Sequence, residues 1–165
     1  MRRVALLLFL VGLTASIPAP AWAQTATANL SITATVNGTC TITTSTVAFG
    51  SYDPVVTNAA TPLDNSGAVT VTCTKGAGTR IDLGLGANAS GSTRRMQGPT
   101  DLLTYELYQD SARTTIWSSG AGLGLAISTA PSITPRSFTV YGRVPAAQNV
   151  GAGAYTDTVL ATVNF

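Results

Sequence analysis

Apolar and polar residues alternate with a period of two in many short runs along this chain. Such alternation is typical of half-buried β-strands, because successive side chains of a strand point to opposite faces. The alternating runs cover residues 30–36, 69–73, 81–85, 103–107, 138–142 and 155–165, and residues 41–48 are rich in β-prone types. No run of helical period reaches ten residues. The pattern therefore predicts an all-β fold of roughly seven short strands.

Clusters of turn-forming residues separate these runs. Glycine, proline, asparagine and serine concentrate at 50–54, 65–67, 76–78, 120–124, 131–135 and 151–153. These residue types favour tight turns, and short strands with regular turn signals are typical of a β-sandwich of immunoglobulin-like size. Because no internal repeat or linker divides the chain, we expect one such domain.

The chain begins with the organisation of a secretory signal, which we place at residues 1–23. Two arginines precede the apolar run 4–13, and the small-residue sequence 21–23 offers a site for signal peptidase. The apolar run is too short to span a bilayer stably. We predict cleavage after Ala23, export to the periplasm, and no direct insertion of the mature chain into a membrane.

The chain is poor in charge. It has 9 basic residues, 7 acidic residues and no histidine, for a formal net charge of +2. Arg2 and Arg3 lie in the predicted signal, so the mature chain is neutral by the same count. A neutral chain lacks the basic surface that binds nucleic acid or anionic lipid. Weak self-repulsion also suits a protein that associates with copies of itself.

The sequence contains no motif for catalysis or metal binding. Without histidine there is no Ser–His or Cys–His pair, and two thiols are too few ligands for a zinc site. A carboxylate pair could form from Asp53 with Asp64, or from Asp101 with Glu106, but nothing in the spacing favours one. We therefore predict a protein that is not an enzyme and needs no cofactor.

Cys40 and Cys73 are the two cysteines of the chain. In an exported protein two thiols most simply form one disulfide, and two free buried cysteines are the alternative. Closing a loop of this length would constrain the unfolded chain by roughly 3–4 kcal/mol.

Some side chains allow both a binding and a structural interpretation. Trp117 and the tyrosines could stack on sugars, although aromatic residues of a small sandwich more often belong to its core or rim. Arg94 and Arg95 are most simply interpreted as a solvated turn or strand edge.

At both ends of the predicted domain, the sequence predicts a strand with no charge or proline to prevent its pairing with another chain. The apolar face of Val159, Ala161, Val163 and Phe165 has no charge or proline to block pairing. Residues 24–36 are uncharged, β-prone and alternating. An extended segment at one end and an unprotected strand at the other suit strand addition between chains. The alternative is that both strands pair within one domain.

An ordered set of short motifs runs through residues 29–165. The motifs lie at 40–42, 49–54, 71–76, 103–108, 140–148 and 153–158, together with Trp117 and Phe165. Residues 140–148 read Val-Tyr-Gly-Arg-Val-Pro-Ala-Ala-Gln and carry the most specific match. In this order the motifs resemble the spore coat protein U domain family, the subunits of archaic chaperone–usher pili.

The resemblance implies an incomplete immunoglobulin-like β-sandwich of pilin type that lacks its last strand. In that family a periplasmic chaperone first fills the gap, and the N-terminal segment of the next subunit replaces it at the outer-membrane usher. Here it implies a donor segment at 24–36 and a domain at 37–165. The inserting side chains would be Leu30, Ile32, Ala34 and Val36. Since this run lies close to Cys40, part of it alternatively belongs to the first strand of the domain.

The resemblance also implies roles for the cysteines and for the last strand. A disulfide would join Cys40 on the first strand to Cys73 on the second, and the last strand would bound the acceptor groove. The residues of that strand, which would also bind the chaperone, are Tyr155, Val159, Ala161, Val163 and Phe165. The C-terminal carboxylate of Phe165 would anchor basic residues of the chaperone.

The function implied by the resemblance is that of a structural subunit of a cell-surface pilus in a Gram-negative bacterium, serving adhesion or biofilm formation. Its expected partners are a periplasmic chaperone, an outer-membrane usher and neighbouring subunits in a homo- or hetero-polymer. The alternatives are a non-fibrous secreted or spore-coat structural protein, and a sugar-binding adhesin domain.

Overall fold

The fold is described by a computed structural model, which covers residues 22–120 and 122–165. The predicted signal, apart from Trp22 and Ala23, lies outside the described residues. The chain divides into two units, Met1–Ala34 and Thr35–Phe165. Residues 22–34 form no helix or strand and are exposed. Within the described ranges there is no helix long and apolar enough to cross a membrane.

The unit Thr35–Phe165 is built from antiparallel strands. They are β1 (Cys40–Ser45), β2 (Leu63–Cys73), β3 (Arg80–Leu83), β4 (Arg94–Gln97), β5 (Leu102–Tyr108), β6 (Leu125–Ala126), β7 (Arg136–Val144) and β8 (Ala161–Asn164). One sheet has the order β1-β2-β7-β5-β4, and a smaller one has the order β6-β3-β8. The described residues contain no helix, so the all-β prediction is confirmed.

The two sheets enclose one hydrophobic core. Strand β5 shows the alternation most clearly, since Leu103, Tyr105 and Leu107 are buried while their neighbours are half-buried. The other buried members of the core are Val69, Val71, Ile81, Leu83, Trp117, Val140 and Val144. The indole nitrogen of Trp117 donates a hydrogen bond to the carbonyl of Ile81 at 2.9 Å. Trp117 therefore belongs to the core and is not available to stack on a sugar.

A disulfide joins Cys40 to Cys73, as predicted. The two cysteines lie directly opposite each other, where β1 begins and β2 ends. At the other end of β2, Leu63 pairs with Val144 of β7. The domain therefore has two ends, which we call the disulfide end (Cys40, Cys73) and the proline end (Leu63, Val144 and the adjoining Pro145).

Several elements differ from the predicted pattern. Arg94 is fully buried in β4 and is not a solvated residue, which corrects the prediction for the Arg94–Arg95 pair. The sequence pattern also missed the short strand β6. The run 155–165 forms a regular strand only at Ala161–Asn164, where it pairs with β3. The first strand begins at Cys40, so no part of the run 30–36 belongs to it.

Candidate functional site

An open groove with a volume of about 1090 Å³ lies over one side of the core. One wall is the segment 44–54, and the other is the segment 150–161. The floor consists of apolar side chains from the strands, namely Leu63, Val69, Leu83, Met96, Leu103, Tyr105, Leu107, Val140 and Val144. The groove is larger than the roughly 300–1,000 Å³ of ordinary small-ligand pockets.

The first wall continues from β1 after its regular pairing ends at Ser45. Val47 and Phe49 are half-buried and pack against the core. They fit there because Gly142 of β7 has no side chain. A Cβ atom on Gly142 would lie 2.7 Å from Phe49 and 2.8 Å from Val47. The Phe49 ring also makes an edge contact with Tyr105, with ring centroids 6.3 Å apart.

Tyr52 fastens the first wall at the proline end. Its hydroxyl donates a hydrogen bond to the carbonyl of Pro145 at 2.8 Å and accepts one from the amide of Gln148 at 2.9 Å. The side chain of Gln148 in turn bonds both the amide and the carbonyl of Thr104 on β5. The wall is therefore held by long-range contacts and does not depend on pairing with another strand.

The second wall presents an unpaired backbone edge to the groove. The carbonyls of Thr158 and Leu160 accept hydrogen bonds from the segment that follows β3, at 3.1 and 2.8 Å. Because backbone groups of successive strand residues point to opposite sides, those of Val159 and Ala161 point away from β3 and towards the groove. No strand of the described chain pairs with this edge of β8.

Asp157 fixes the second wall to the rest of the domain. Its carboxylate accepts hydrogen bonds from the hydroxyl of Tyr105 at 2.6 Å, the amide of Ala87 at 2.9 Å and the side chain of Asn88 at 3.0 Å. Burial, together with the hydrogen bond to Asp157, raises the pKa of Tyr105 well above its usual range. The phenol therefore stays protonated and keeps this wall in place at any physiological pH.

The structure brings together most of the residues predicted for the last strand. Tyr155, Val159 and Ala161 line the groove. Val163 packs against the core below it, and Phe165 is exposed at the disulfide end. The first wall was not predicted from the sequence. The spacing of Val47, Phe49 and Tyr52 beside a Phe-Gly turn was its signal.

The residues predicted to insert into a neighbouring copy belong to no helix or strand. Leu30, Ile32, Ala34 and Val36 are all exposed. Leaving three large aliphatic side chains in water is unfavourable, by about 1.5–3 kcal/mol for each relative to full burial. Their role as inserting side chains stays a prediction.

The acidic residues considered as a catalytic pair have structural roles instead. Asp64 bonds Arg143 at 2.8 Å, and this hydrogen bond holds the pKa of the carboxyl below its usual range. Glu106 pairs with Arg94. Asp101 accepts a hydrogen bond from the amide of Gly151 at 2.8 Å. In the described part of the chain, no cluster of three His, Cys, Asp or Glu side chains could hold a metal ion.

Comparison with known sequences identifies a match along most of the chain. The family model described as Spore Coat Protein U domain matches residues 26–162. "Protein U" of Myxococcus xanthus is 43% identical over an alignment of 160 positions that covers 88% of this chain and 88% of that protein.

Comparison with solved structures shows a similar fold. A chain of the CsuC–CsuE chaperone–tip adhesion subunit pre-assembly complex, from the archaic chaperone–usher Csu pili of Acinetobacter baumannii, matches with a TM-score of 0.58 at 22% identity. The match covers 79% of this chain but 40% of that one, so this chain spans less than half of the matched chain's length. HdaB, the minor tip subunit of the E. coli Hda pilus, matches with a TM-score of 0.40 at 16% identity, over 74% of this chain and 79% of that chain.

Proposed function

This chain belongs to the Spore Coat Protein U domain family, and from that premise we propose that it is a structural subunit of a cell-surface pilus. Subunits would join by donor-strand exchange, in which segment 24–36 of one copy fills the groove of the next. The observation that carries the proposal is the groove, which combines an apolar floor with an unpaired strand edge.

The groove has the two features that bind an extended peptide. The backbone edge that leads into β8 offers hydrogen-bonding groups at Val159 and Ala161, each worth about 0.5–1.5 kcal/mol net when paired. The floor offers apolar surface to every second side chain of an added strand, since alternate side chains face the same way. A compact small-molecule ligand would leave most of this edge unpaired, so an added strand is the better occupant.

Segment 24–36 matches these requirements in its sequence. Leu30, Ile32, Ala34 and Val36 are spaced by two, with serine or threonine between them. Seven extended residues from 30 to 36 cover about 23 Å. Burial of the three large side chains contributes roughly 1.5–3 kcal/mol each. Insertion would therefore complete a hydrophobic core, and assembly becomes the last step of folding.

The proposed assembly route needs partners that protect the groove before the next copy arrives. The matched solved complex is described as a chaperone bound to a pilus subunit before assembly. We infer the same classes of partner for this chain, namely a periplasmic chaperone and an outer-membrane usher. The secretory signal predicted at residues 1–23 would bring the chain to them, and adhesion or biofilm formation would be the role of the fibre.

A non-fibrous coat protein is the second candidate function. The description of the family as a spore coat domain favours it. In that case the groove would be filled within one assembly unit, by a strand that is not exchanged along a chain. Both candidates are structural roles without catalysis, and they differ in whether the protein forms linear polymers.

Deletion of the donor segment tests the proposal. We would express the chain in a periplasm together with a matching chaperone, with and without residues 24–36 behind an intact signal. Products would be run on SDS gels without boiling. We expect the complete chain to form a ladder of heat-sensitive multimers, and the deleted chain to remain a chaperone-bound monomer because its groove finds no donor.

A matched control replaces residues 24–36 by a Gly-Ser sequence of the same length, which preserves spacing but removes the inserting side chains. It should behave like the deletion. A chaperone-independent monomer from both the complete and the deleted chain would overturn the pilus proposal and favour the coat protein.

A further inference from the structure

The two ends of the domain carry exposed apolar side chains that the groove does not use. At the proline end Val55 and Val56 are 81% and 75% exposed. At the disulfide end Ile133 is 73% exposed. Single exposed aliphatic residues are common on protein surfaces. Two observations make Val55, Val56 and Ile133 candidates for a contact between copies. Their loops are fixed by hydrogen bonds, and the proposed donor segment leaves the domain next to one of these loops.

The loop that carries Val55 and Val56 is rigidly built. The side chain of Asp53 accepts hydrogen bonds from the amides of Val55 and Val56 at 2.9 and 3.1 Å. The buried Asn58 closes the loop through bonds to both backbone groups of Asp53. The amide of Ala147 donates to the carbonyl of Asn58 at 2.9 Å. The two valines are thus held in water by a network that connects directly to the groove wall at Tyr52.

Ile133 lies on a pair of loops at the disulfide end. Backbone hydrogen bonds join Gly76 to Ala130 at 2.8 Å and Ala130 to Ala77 at 2.9 Å, so the loops 74–77 and 130–135 form one surface. Lys75 is exposed on that surface and makes no salt bridge with any described residue. The proline end carries Asp53 and Asp101, which likewise make no salt bridge there. The charges without a salt bridge therefore have opposite signs at the two ends, and both ends also carry exposed apolar side chains.

The donor segment leaves the domain beside the loop 74–77. Thr39 exchanges hydrogen bonds with Thr74, at 2.8 Å through the backbone and 3.1 Å through the side chain. Two residues, Asn37 and Gly38, separate Val36 from Thr39, so the Cα atoms of Val36 and Thr39 lie at most about 11 Å apart. The disulfide end of a donating copy must therefore lie next to the place where its Val36 enters the groove of its neighbour.

The direction of the donor strand decides at which end of the groove Val36 of the donating copy lies. Strand β8 approaches the disulfide end, because Asn164 pairs with Arg80 close to Gly78 and the sulfur of Cys73. Every strand pair of the sheets is antiparallel. A donor strand that pairs antiparallel with β8 runs from the disulfide end of the accepting copy to its proline end. Its Val36 then emerges beside Tyr52, and the donating domain sits against Val55 and Val56.

We propose that consecutive copies of this chain make a second contact, in which the loop 53–58 of the accepting copy packs against the loops 74–77 and 130–135 of the donating copy. Val55 and Val56 would cover Ile133, and Lys75 would approach Asp53 or Asp101. The inference rests on the proposed strand exchange, and its occupant is a second copy of the chain. The contact would limit bending between subunits and stiffen the fibre.

Engineered disulfides test the contact in assembled polymers of the complete chain. One variant carries Val56→Cys with Ile133→Cys, and a second carries Val55→Cys with Lys75→Cys. The control carries Val56→Cys with Thr139→Cys, since Thr139 is exposed in the middle of β7. In both test pairs the two positions lie near opposite ends of the domain, which are separated by the 11-residue strand β2, about 35 Å long, so a disulfide within one copy is excluded.

After oxidation, samples are boiled without reductant, which separates all copies that are not covalently joined. We expect at least about tenfold more covalent multimers from one of the two test pairs than from the control, because strand exchange holds the ends at a high effective concentration. Reductant should abolish them. If polymers form before boiling but neither test pair exceeds the control, the second contact is overturned. If the unmodified chain forms no ladder at all, the strand-exchange proposal fails and this contact fails with it.

Discussion

At the scale of single residues, the clearest feature of the domain is a buried arginine. Arg94 is 0% exposed, and its guanidinium donates to the carbonyls of Leu83, Gly84 and Trp117 at 3.2, 2.7 and 2.8 Å. It also pairs with Glu106. A buried charge is tolerated only when it is paired and hydrogen-bonded. Arg94 meets both conditions, and it joins β4 to the end of β3 and to the segment of Trp117.

We predict that Arg94→Met lowers the free energy of unfolding by about 3–5 kcal/mol, because it leaves Glu106 and several carbonyls without their partner. The neighbouring Arg95→Met is the matched control, since Arg95 is only half-buried and donates to one carbonyl, that of Asn88. It should cost no more than about 1 kcal/mol. Urea unfolding of both variants, followed by the fluorescence of the buried Trp117, measures the difference. Equal losses in the two variants would contradict the structural role of Arg94.

At the scale of elements, the domain lacks a partner for an edge that natural proteins usually protect. Exposed strand edges are normally covered, shortened or charged, since they pair readily with other chains. Here the backbone edge at Val159 and Ala161, where β8 begins, faces an open groove. The side chains of Tyr52 and Asp157 fix the two walls of this groove. Both walls are therefore held in place without a strand between them. The proposed donor has the matching alternation and no charge.

The alternation predicts that a charged side chain is tolerated on one face of the proposed donor segment but not on the face that meets the groove floor. Ile32→Asp should place a carboxylate over the apolar floor and abolish most of the ladder of multimers, because a buried, unpaired carboxylate is strongly unfavourable. Thr33→Asp changes the next residue, which points away from the floor, and should leave the ladder within about twofold of the unchanged chain. Densitometry of unboiled gels compares the two variants. Equal loss in both would show that the segment does not insert as an alternating strand.

At the scale of the whole molecule, one covalent bond limits the freedom of the unfolded chain. The disulfide between Cys40 and Cys73 closes a loop with a sequence separation of 33. It also ties the start of the first sheet, next to the donor segment, to the end of β2.

Replacing both cysteines by alanine should lower the free energy of unfolding by about 4 kcal/mol, the chain-entropy value for a loop of this size. Urea unfolding of the purified complete chain, followed by Trp117, tests this. The reduced form of the unchanged protein is the control and should show a similar loss. A change below about 1 kcal/mol would mean that the disulfide serves assembly and contributes little to stability.

Local patterns in the sequence determined most of the elements. The period of two predicted β2, β5 and β7 because half-buried strands need alternation within a few residues. The two cysteines of an exported chain similarly predicted their own disulfide. The alternating run at residues 155–165 likewise indicated β8, although only Ala161–Asn164 forms a regular strand. Each of these conclusions depends on composition or spacing within one segment, so the sequence alone was sufficient.

Tertiary structure alone decided which groups would meet. Arg94 looked like a surface residue because its partners lie on β3, on β5 and beside Trp117, far apart in sequence. The first groove wall was missed because its position depends on the room left by Gly142, almost a hundred residues later. Which edge of β8 stays unpaired is likewise a property of the whole sheet order. Side-chain alternation is a local constraint, whereas the closing or opening of a sandwich depends on contacts between distant segments.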